Sequence, residues 1–328
     1  MCRWITLFAF AALLAAACNE APADDPEDTA AEEPGVVRVY TSVTQESVDA
    51  VVAGFEADTD AQVEVFRAPT GELNARIAAE RREGEVGADV FWLSDPLSMQ
   101  QFDAEGLLRN WTPADVDVVA PELRSDRFFG TRLLNIALVV HADVEPAPTA
   151  WWDLADETYA DGVAMPDPGF AGTAFGVLGY FALDDDFGFD FYRALADNGV
   201  TQVGAPGEVV AGVAEGRFDA GMTIDALARD AIADGSPIEL VWPEPGAIVV
   251  YSPIAVLDTG GDHAAAEAFV EHVLSLEAQN ALAETGWQPV HPDADWPHEV
   301  GPTVFPDWDS AYDEQDALLE EYRAIIGG

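Results

Sequence analysis

Four short stretches share one chemistry. Thr41-Ser42, Thr70-Gly71, Ser94-Asp95-Pro96 and Gly172-Thr173 each place a short hydroxyl or a glycine where an extended pattern gives way to a helical one. At such a junction the first N–H groups of the helix lack partners and sit at the positive end of its dipole, which suits an anion. The competing reading is structural, because Ser, Thr and Asp cap helices in all kinds of protein. Asp95-Pro96 is a strong helix start in its own right, with Asp as the cap and Pro at the first helical position. What favours a ligand is the joint placement of the four at the carboxyl ends of strands. Asp225 follows the apolar run Ala220 to Ile224. Its carboxylate either contacts a ligand or caps the helix from Ala226 to Ala233.

Enzyme chemistry finds little material. The chain has no G-x-S-x-G, no H-E-x-x-H and no phosphate loop with Gly-Lys. The five histidines are scattered at 141, 263, 272, 291 and 298, and His263 and His272 are too far apart for metal-ligand spacing. A solvated or capping role is expected for all five. Cys2 and Cys18 are the two cysteines, so the body has no thiol for a nucleophile, a zinc site or a disulfide framework. Asp24-Asp25 and Asp184-Asp185-Asp186 read as solvated faces, with weak calcium binding as the alternative.

The elements that must position these residues alternate. Val36 to Thr41, Ala61 to Phe66 and Ala88 to Leu93 read as strands, each followed by a helical pattern: Ser42 to Ala57, Gly71 to Glu83 and Pro96 to Leu107. Such alternation predicts parallel βαβ units. Leu133 to His141 is a long apolar strand where one lobe should pass to the next. A second series runs from Gly162 to Ile224, and Ala247 to Leu257 could carry the chain back. Helices are expected over His263 to Leu274 and Glu277 to Thr285, and a closing helix over Asp313 to Ile326.

The first residues are an address. Arg3, then the apolar run Trp4 to Ala17 ending in three alanines, form a secretory signal peptide too short to span a membrane. Cys18 follows at once, in a pattern that resembles the lipobox of bacterial lipoproteins, with Leu14 one place further from the Cys than usual. Residues 19–35 are acidic and Pro-rich, which predicts a solvated tether between a lipid anchor and a body. With 61 acidic residues, 14 basic ones and a net charge of -47, the chain repels nucleic acid and anionic lipid surfaces. All its basic residues are Arg. A Lys-free acidic surface fits a saline medium, where salt screens self-repulsion, and equally a compositional drift.

From Val37 to about Pro292 the chain resembles the ferric-iron and phosphonate-binding branch of ABC-importer solute-binding proteins. The resemblance rests on an ordered set: VYTSVTQE (39–46), TGELNARI (70–77), GADVFWLSDP (87–96), AMPDPGFAGTAFG (164–176), EGRFDAGMTID (215–225), GSPIELVWPEPG (235–246) and AAAEAFVEHVLSLEAQ (264–279). It implies an α/β, two-lobed type II periplasmic-binding-protein-like fold. Each lobe would be a mainly parallel sheet with flanking helices, the two joined by crossover strands. The implied bounds are 1–17 for the signal peptide and 18–35 for the lipidated Cys and tether. Lobe 1 would be 36–138 plus 249–295 and lobe 2 139–248, with 296–328 packing back on them. Iron binders of that branch use a His, a carboxylate and paired Tyr where this chain has Thr44, Ser94, Ala226 and Leu227, none of which ligates iron in that manner. Phosphonate binders share Met165-Pro166-Asp167-Pro168 and Gly172-Thr173, with an acidic residue at the position of Asp225. In that reading Thr41, Ser42, Thr70, Gly71, Ser94, Gly172 and Thr173 surround an acidic head and Asp225 holds a cationic or hydroxylated tail.

The resemblance thus implies a monomeric, extracytoplasmic binding lipoprotein without cofactor or catalysis. It would capture a small anionic ligand of phosphonate or phosphate-ester type and present it to ABC permease subunits. The alternatives are ferric iron or an iron–anion complex in a non-tyrosinate site, and a secreted α/β hydrolase.

Overall fold

In β1 (Val36–Thr41) the side chains alternate, so Val37 and Val39 enter the core while Val36 and Arg38 face out. α1 (Gln45–Asp58) buries Ser47, Val48, Val51 and Phe55, one stripe of a helical period. The same logic builds β2 (Gln62–Arg67), α2 (Thr70–Glu83), β3 (Val90–Trp92) and α3 (Pro96–Ala104). The computed structural model describes residues 35–258 and 263–327. The expected signal peptide, Cys18 and the expected tether to residue 34 lie outside the described residues.

β4 (Phe129–His141) begins four residues before the apolar run suggests, because Phe129 to Arg132 are also buried and paired. The second series is β5 (Val163–Pro166), α4 (Gly172–Leu183), α5 (Gly188–Asp197), β6 (Thr201–Val203), α6 (Pro206–Ala214), β7 (Ala220–Ile224), α7 (Asp225–Ala233), β8 (Ile238–Val241) and β9 (Ala247–Val256). There follow α8 (Ala264–Leu274), α9 (Leu276–Glu284), β10 (Gln288–Pro289), β11 (Thr303–Val304), α10 (Trp308–Asp313) and α11 (Gln315–Ile326). The closing helix expected over Asp313 to Ile326 is α11, with α10 just before it across Glu314.

All strands join one sheet in the order β2-β1-β3-β9-β4-β7-β5-β6. The parallel expectation holds for the outer arms, β2-β1-β3 and β7-β5-β6. The crossover strands expected between the lobes are β9 and β4, which run antiparallel to each other and to their outer neighbours. β4 is the shared spine. Its first half bonds to β9 and β10, its second to β7 and β8. All ten residues of β9 are buried, as a strand covered on both faces requires. The main core runs under both arms, and a smaller one beneath α6 and α7 centres on Val139, Val209, Val213 and Ile238. No helix among the described residues is long and apolar enough to cross a membrane.

Candidate functional site

The ends of β1 and β3 are stitched by two serines. The Ser94 N–H donates to Ser42 Oγ at 2.9 Å, Ser94 Oγ donates to the Ser42 carbonyl at 3.0 Å, and Ser42 Oγ reaches Ser94 Oγ at 3.1 Å. Thr41 is buried, and its hydroxyl accepts the Val43 N–H at 3.0 Å. These three residues thus shape the turn leading into α1 through their own bonds. Thr44, at the start of α1, makes no side-chain cap. Its hydroxyl instead heads a chain to Ser47 Oγ (2.8 Å) and on to Thr285 Oγ1 (2.9 Å).

Two guanidiniums flank this turn. Arg67, the last residue of β2, donates through Nε to the Val43 carbonyl at 2.6 Å. Arg132 of β4 is 1% exposed. It donates through Nε to Ser252 Oγ at 3.0 Å, reaches Ser47 Oγ at 3.5 Å, and lies over the Trp287 ring at 4.1 Å. Burial, aided by the charge of Arg67, lowers the Arg132 guanidinium to about 9. Most described arginines sit in ion pairs, as the acid excess makes easy. Arg67 and Arg132 pair with no carboxylate among the described residues. Arg67 is exposed, whereas Arg132 is buried without a counter-charge, a costly state that an incoming anion would offset.

The starts of α2, α3 and α4 converge on a cleft of ≈ 140 Å³. Thr70, Gly71 and Asn74 line it from one side, with Asp95, Phe170 and Gly172. Asp95 caps α3, its Oδ1 accepting the Ser98 N–H at 2.8 Å, with Pro96 at the first helical position. Its Oδ2 is buried and has no partner among the described residues. Asn74 Nδ2 donates to Ser98 Oγ at 3.2 Å, while its Oδ1 is likewise buried and unpartnered. Burial raises the Asp95 carboxyl against the opposing pull of the Ser98 and Leu97 N–H groups. A Cβ on Gly172 would stand 2.7 Å from Asp95 Oδ2, so only glycine lets the two arms approach this closely here. Phe170, just before α4, is 72% exposed.

Thr173 does not join that cleft. It is 6% exposed and lines a small apolar cavity with Met165, Val177, Tyr192 and Tyr322. Asp225 lies elsewhere again and does not cap α7. Ile224 is the cap residue and Asp225 the first helical one. At 1% exposure, its carboxylate accepts the Asn135 N–H (3.3 Å), Asn135 Nδ2 (3.1 Å) and Arg229 Nη1 (2.5 Å). Arg229 also donates to the Gly286 carbonyl at 3.0 Å and lies over Trp296, so the network ties α7 to the segment after α9. His272 is not solvated either. It packs on Phe55 and bonds the Val51 carbonyl at 3.1 Å.

The structure therefore brings together Thr70, Gly71 and Gly172 in one cleft and Thr41, Ser42 and Ser94 at one turn. Reasoning from sequence missed Arg67, Arg132, Asn74 and Phe170, and took Asp95 for a cap alone. One signal was available: an Arg inside the apolar run FGTRLLNIALVVH (129–141). Among the described residues no group of three or more His, Cys, Asp or Glu could hold a metal ion.

A family model described as bacterial extracellular solute-binding protein matches residues 37–288. A Haemophilus influenzae protein, itself uncharacterized, is 26% identical over 269 residues, 77% of this chain and 76% of its own. Among solved structures, the periplasmic binding protein AfuA from Actinobacillus pleuropneumoniae, with exogenous fructose-6-phosphate bound, is 21% identical with a TM-score of 0.77. That match covers 89% of this chain and 99% of AfuA. Iron-bound HitA from Pseudomonas aeruginosa is 19% identical with the same TM-score of 0.77, covering 88% and 99%. These likenesses show the fold, the two-lobed type II arrangement of periplasmic binding proteins.

Proposed function

The chain belongs to the bacterial extracellular solute-binding proteins, and from that premise we propose that it captures a small polar ligand with an anionic group of phosphonate or phosphate-ester type. The observation that carries this reading is the pair Arg67 and Arg132, two guanidiniums without carboxylate partners beside the start of α1. In a chain of charge -47 an unpaired cation is the rarer arrangement, and two together offer charge-assisted bonds to a multivalent anion. The turns at Thr41, Ser42, Thr44 and Ser94, with the free N–H groups at the starts of α1 and α2, add donors around it. AfuA carries a phosphorylated sugar in the same fold, which is compatible with this ligand class.

We take the lobes as 36–138 with 249–295 and 139–248, closing on the ligand and presenting it to the permease subunits of an ABC importer. Residues 296–328 pack back on them. The protein acts as a monomer held at the membrane through a lipidated Cys18.

The test is a thermal-shift screen at high salt against inorganic phosphate, 2-aminoethylphosphonate, fructose 6-phosphate and ferric citrate. A ligand at a hundred times its dissociation constant stabilises by about 2.7 kcal/mol. Arg132→Met should abolish the shift given by phosphorus-bearing anions and leave unliganded stability equal or higher, because replacing a buried unpaired charge by an apolar group of similar volume is neutral or favourable. A shift from ferric citrate alone would replace the anion reading with the iron one.

A further inference from the structure

We infer that Asp95 is where the cleft recognises a hydrogen-bond donor, a hydroxyl or an ammonium, on the body of the ligand, at a site distinct from the Arg67–Arg132 pair. The inference rests on the reading above for the rest of the ligand, and on four observations for this part.

Asp95 is 3% exposed, and one of its carboxylate oxygens has no partner among the described residues. A buried acceptor without a donor is a standing cost in the closed arrangement, removed only by something that brings a donor. The oxygen lies where the arms meet, against Gly172 at the start of α4. An unpartnered acceptor of the same kind, Asn74 Oδ1, lies on the same cleft. Two acceptors without donors suit a donor-rich ligand and do not suit the anionic head. Finally, Phe170 and the glycines at 71, 169 and 172 also line the cleft, beside Leu97, Phe175 and Gln315. An exposed aromatic ring can cover a ligand body, and glycines let its polar groups approach backbone.

The arrangement also links recognition to closure. Without a donor, bringing the arms together leaves one Asp95 carboxylate oxygen buried and unpaired. With one, the cost disappears. A ligand that has both an anionic head and a donor therefore favours the closed form more than an anion alone can.

Two variants isolate the carboxylate from the cap. Asn and Ser both cap helices about as well as Asp, so Asp95→Asn and Asp95→Ser should fold and keep the Ser98 bond. Calorimetric titration compares inorganic phosphate with fructose 6-phosphate and 2-aminoethylphosphonate, and with fructose and ethanolamine, which bring donors without phosphorus. Wild-type protein should bind one of the two donor-bearing phosphorus compounds at least tenfold more tightly than inorganic phosphate. Which of them does so distinguishes hydroxyl from ammonium. Both variants should lose that margin, by about tenfold as expected for one charge-assisted bond, and keep their phosphate affinity. Unchanged selectivity in the variants, or no preference for donors in the wild type, overturns the inference and leaves the anion reading standing. If fructose or ethanolamine binds wild type and phosphate does not, Asp95 stands and the anion reading falls. If no compound binds, both fall.

Discussion

Asp95 and Asp225 are both buried aspartates at helix starts, yet their surroundings assign them opposite energetics. Asp225 is fully engaged, with Arg229 supplying its counter-charge. Asp225→Ala leaves the Arg229 guanidinium, itself only 15% exposed, without that partner. Breaking a buried pair from one side costs roughly 3–5 kcal/mol, well above the ~1 kcal/mol of a lost cap. Urea unfolding should show the larger figure, and Arg229→Met in the same chain should recover most of it. A loss near 1 kcal/mol would mean that the pair contributes nothing. Asp95 behaves the other way. Its carboxyl is raised by burial, so the folded state holds the proton more tightly than the unfolded one. The penalty is absent below the ordinary carboxylate pKa near 4, grows as pH rises through the raised value, and is complete above it. Unliganded Asp95→Asn should therefore match wild type at the acid end and exceed it at neutral pH, by about 1–3 kcal/mol at most. Unfolding curves that stay parallel across that range would contradict the assignment. Sequence alone could not separate the two residues. Both are Asp after an apolar strand, and what divides them is a partner, Asn135 or Arg229 in one case and Gly172 in the other, that only the fold supplies.

The elements were legible where one period dominates. β1 and the β7 strand before Asp225 lie where alternation puts them, and α1 begins three residues after the expected start. Direction was not legible. A run such as AIVVYSPIAV is equally apolar whether its neighbours are parallel or antiparallel, so the reversal of β9 and β4 at the centre had no signature. The pairing partner of α4 was hidden for a related reason. α4 is buried on almost every side, with no polar stripe to say which face meets what. Its glycines give the answer in the structure. A Cβ on Gly176 would meet the Trp308 ring at 2.7 Å and Val250 at 3.0 Å, and one on Gly179 would meet Ala311 at 2.8 Å. α10 thus lies directly on α4 and also touches α3 of the opposite arm, α11 and, through Trp308, Tyr251 of β9. Overpacking this seam costs about 1–3 kcal/mol. Gly176→Ala, though normally favourable within a helix, should lower the melting temperature, while Gly71→Ala, where a Cβ meets nothing, should not. Equal effects of the two would show that the α4–α10 seam is looser than its geometry.

At the scale of the whole molecule the question is how an anion reaches a chain of charge -47. The long-range field repels it, and the attraction of Arg67 and Arg132 acts only at short range. The two differ in their response to salt. The screening length shrinks from about 10 Å at 0.1 M to about 3 Å at 1 M ionic strength, so salt removes the distant repulsion before it weakens bonds at contact. The same screening relieves self-repulsion among the acidic residues, so the melting temperature of the unliganded protein should rise over that range. The more demanding consequence is kinetic. An anion that meets a cationic site on an ordinary surface binds more slowly as salt is added, because attraction is being screened. Here the association rate constant for inorganic phosphate should instead increase with ionic strength, since what is screened first is repulsion. Trp287, whose ring lies over the Arg132 guanidinium, is placed to report the event by fluorescence in a stopped-flow experiment. A rate that falls with salt would mean that the local field of the two arginines governs the approach as well as the contact. The acidity of the surface would then have no part in how this protein finds its ligand.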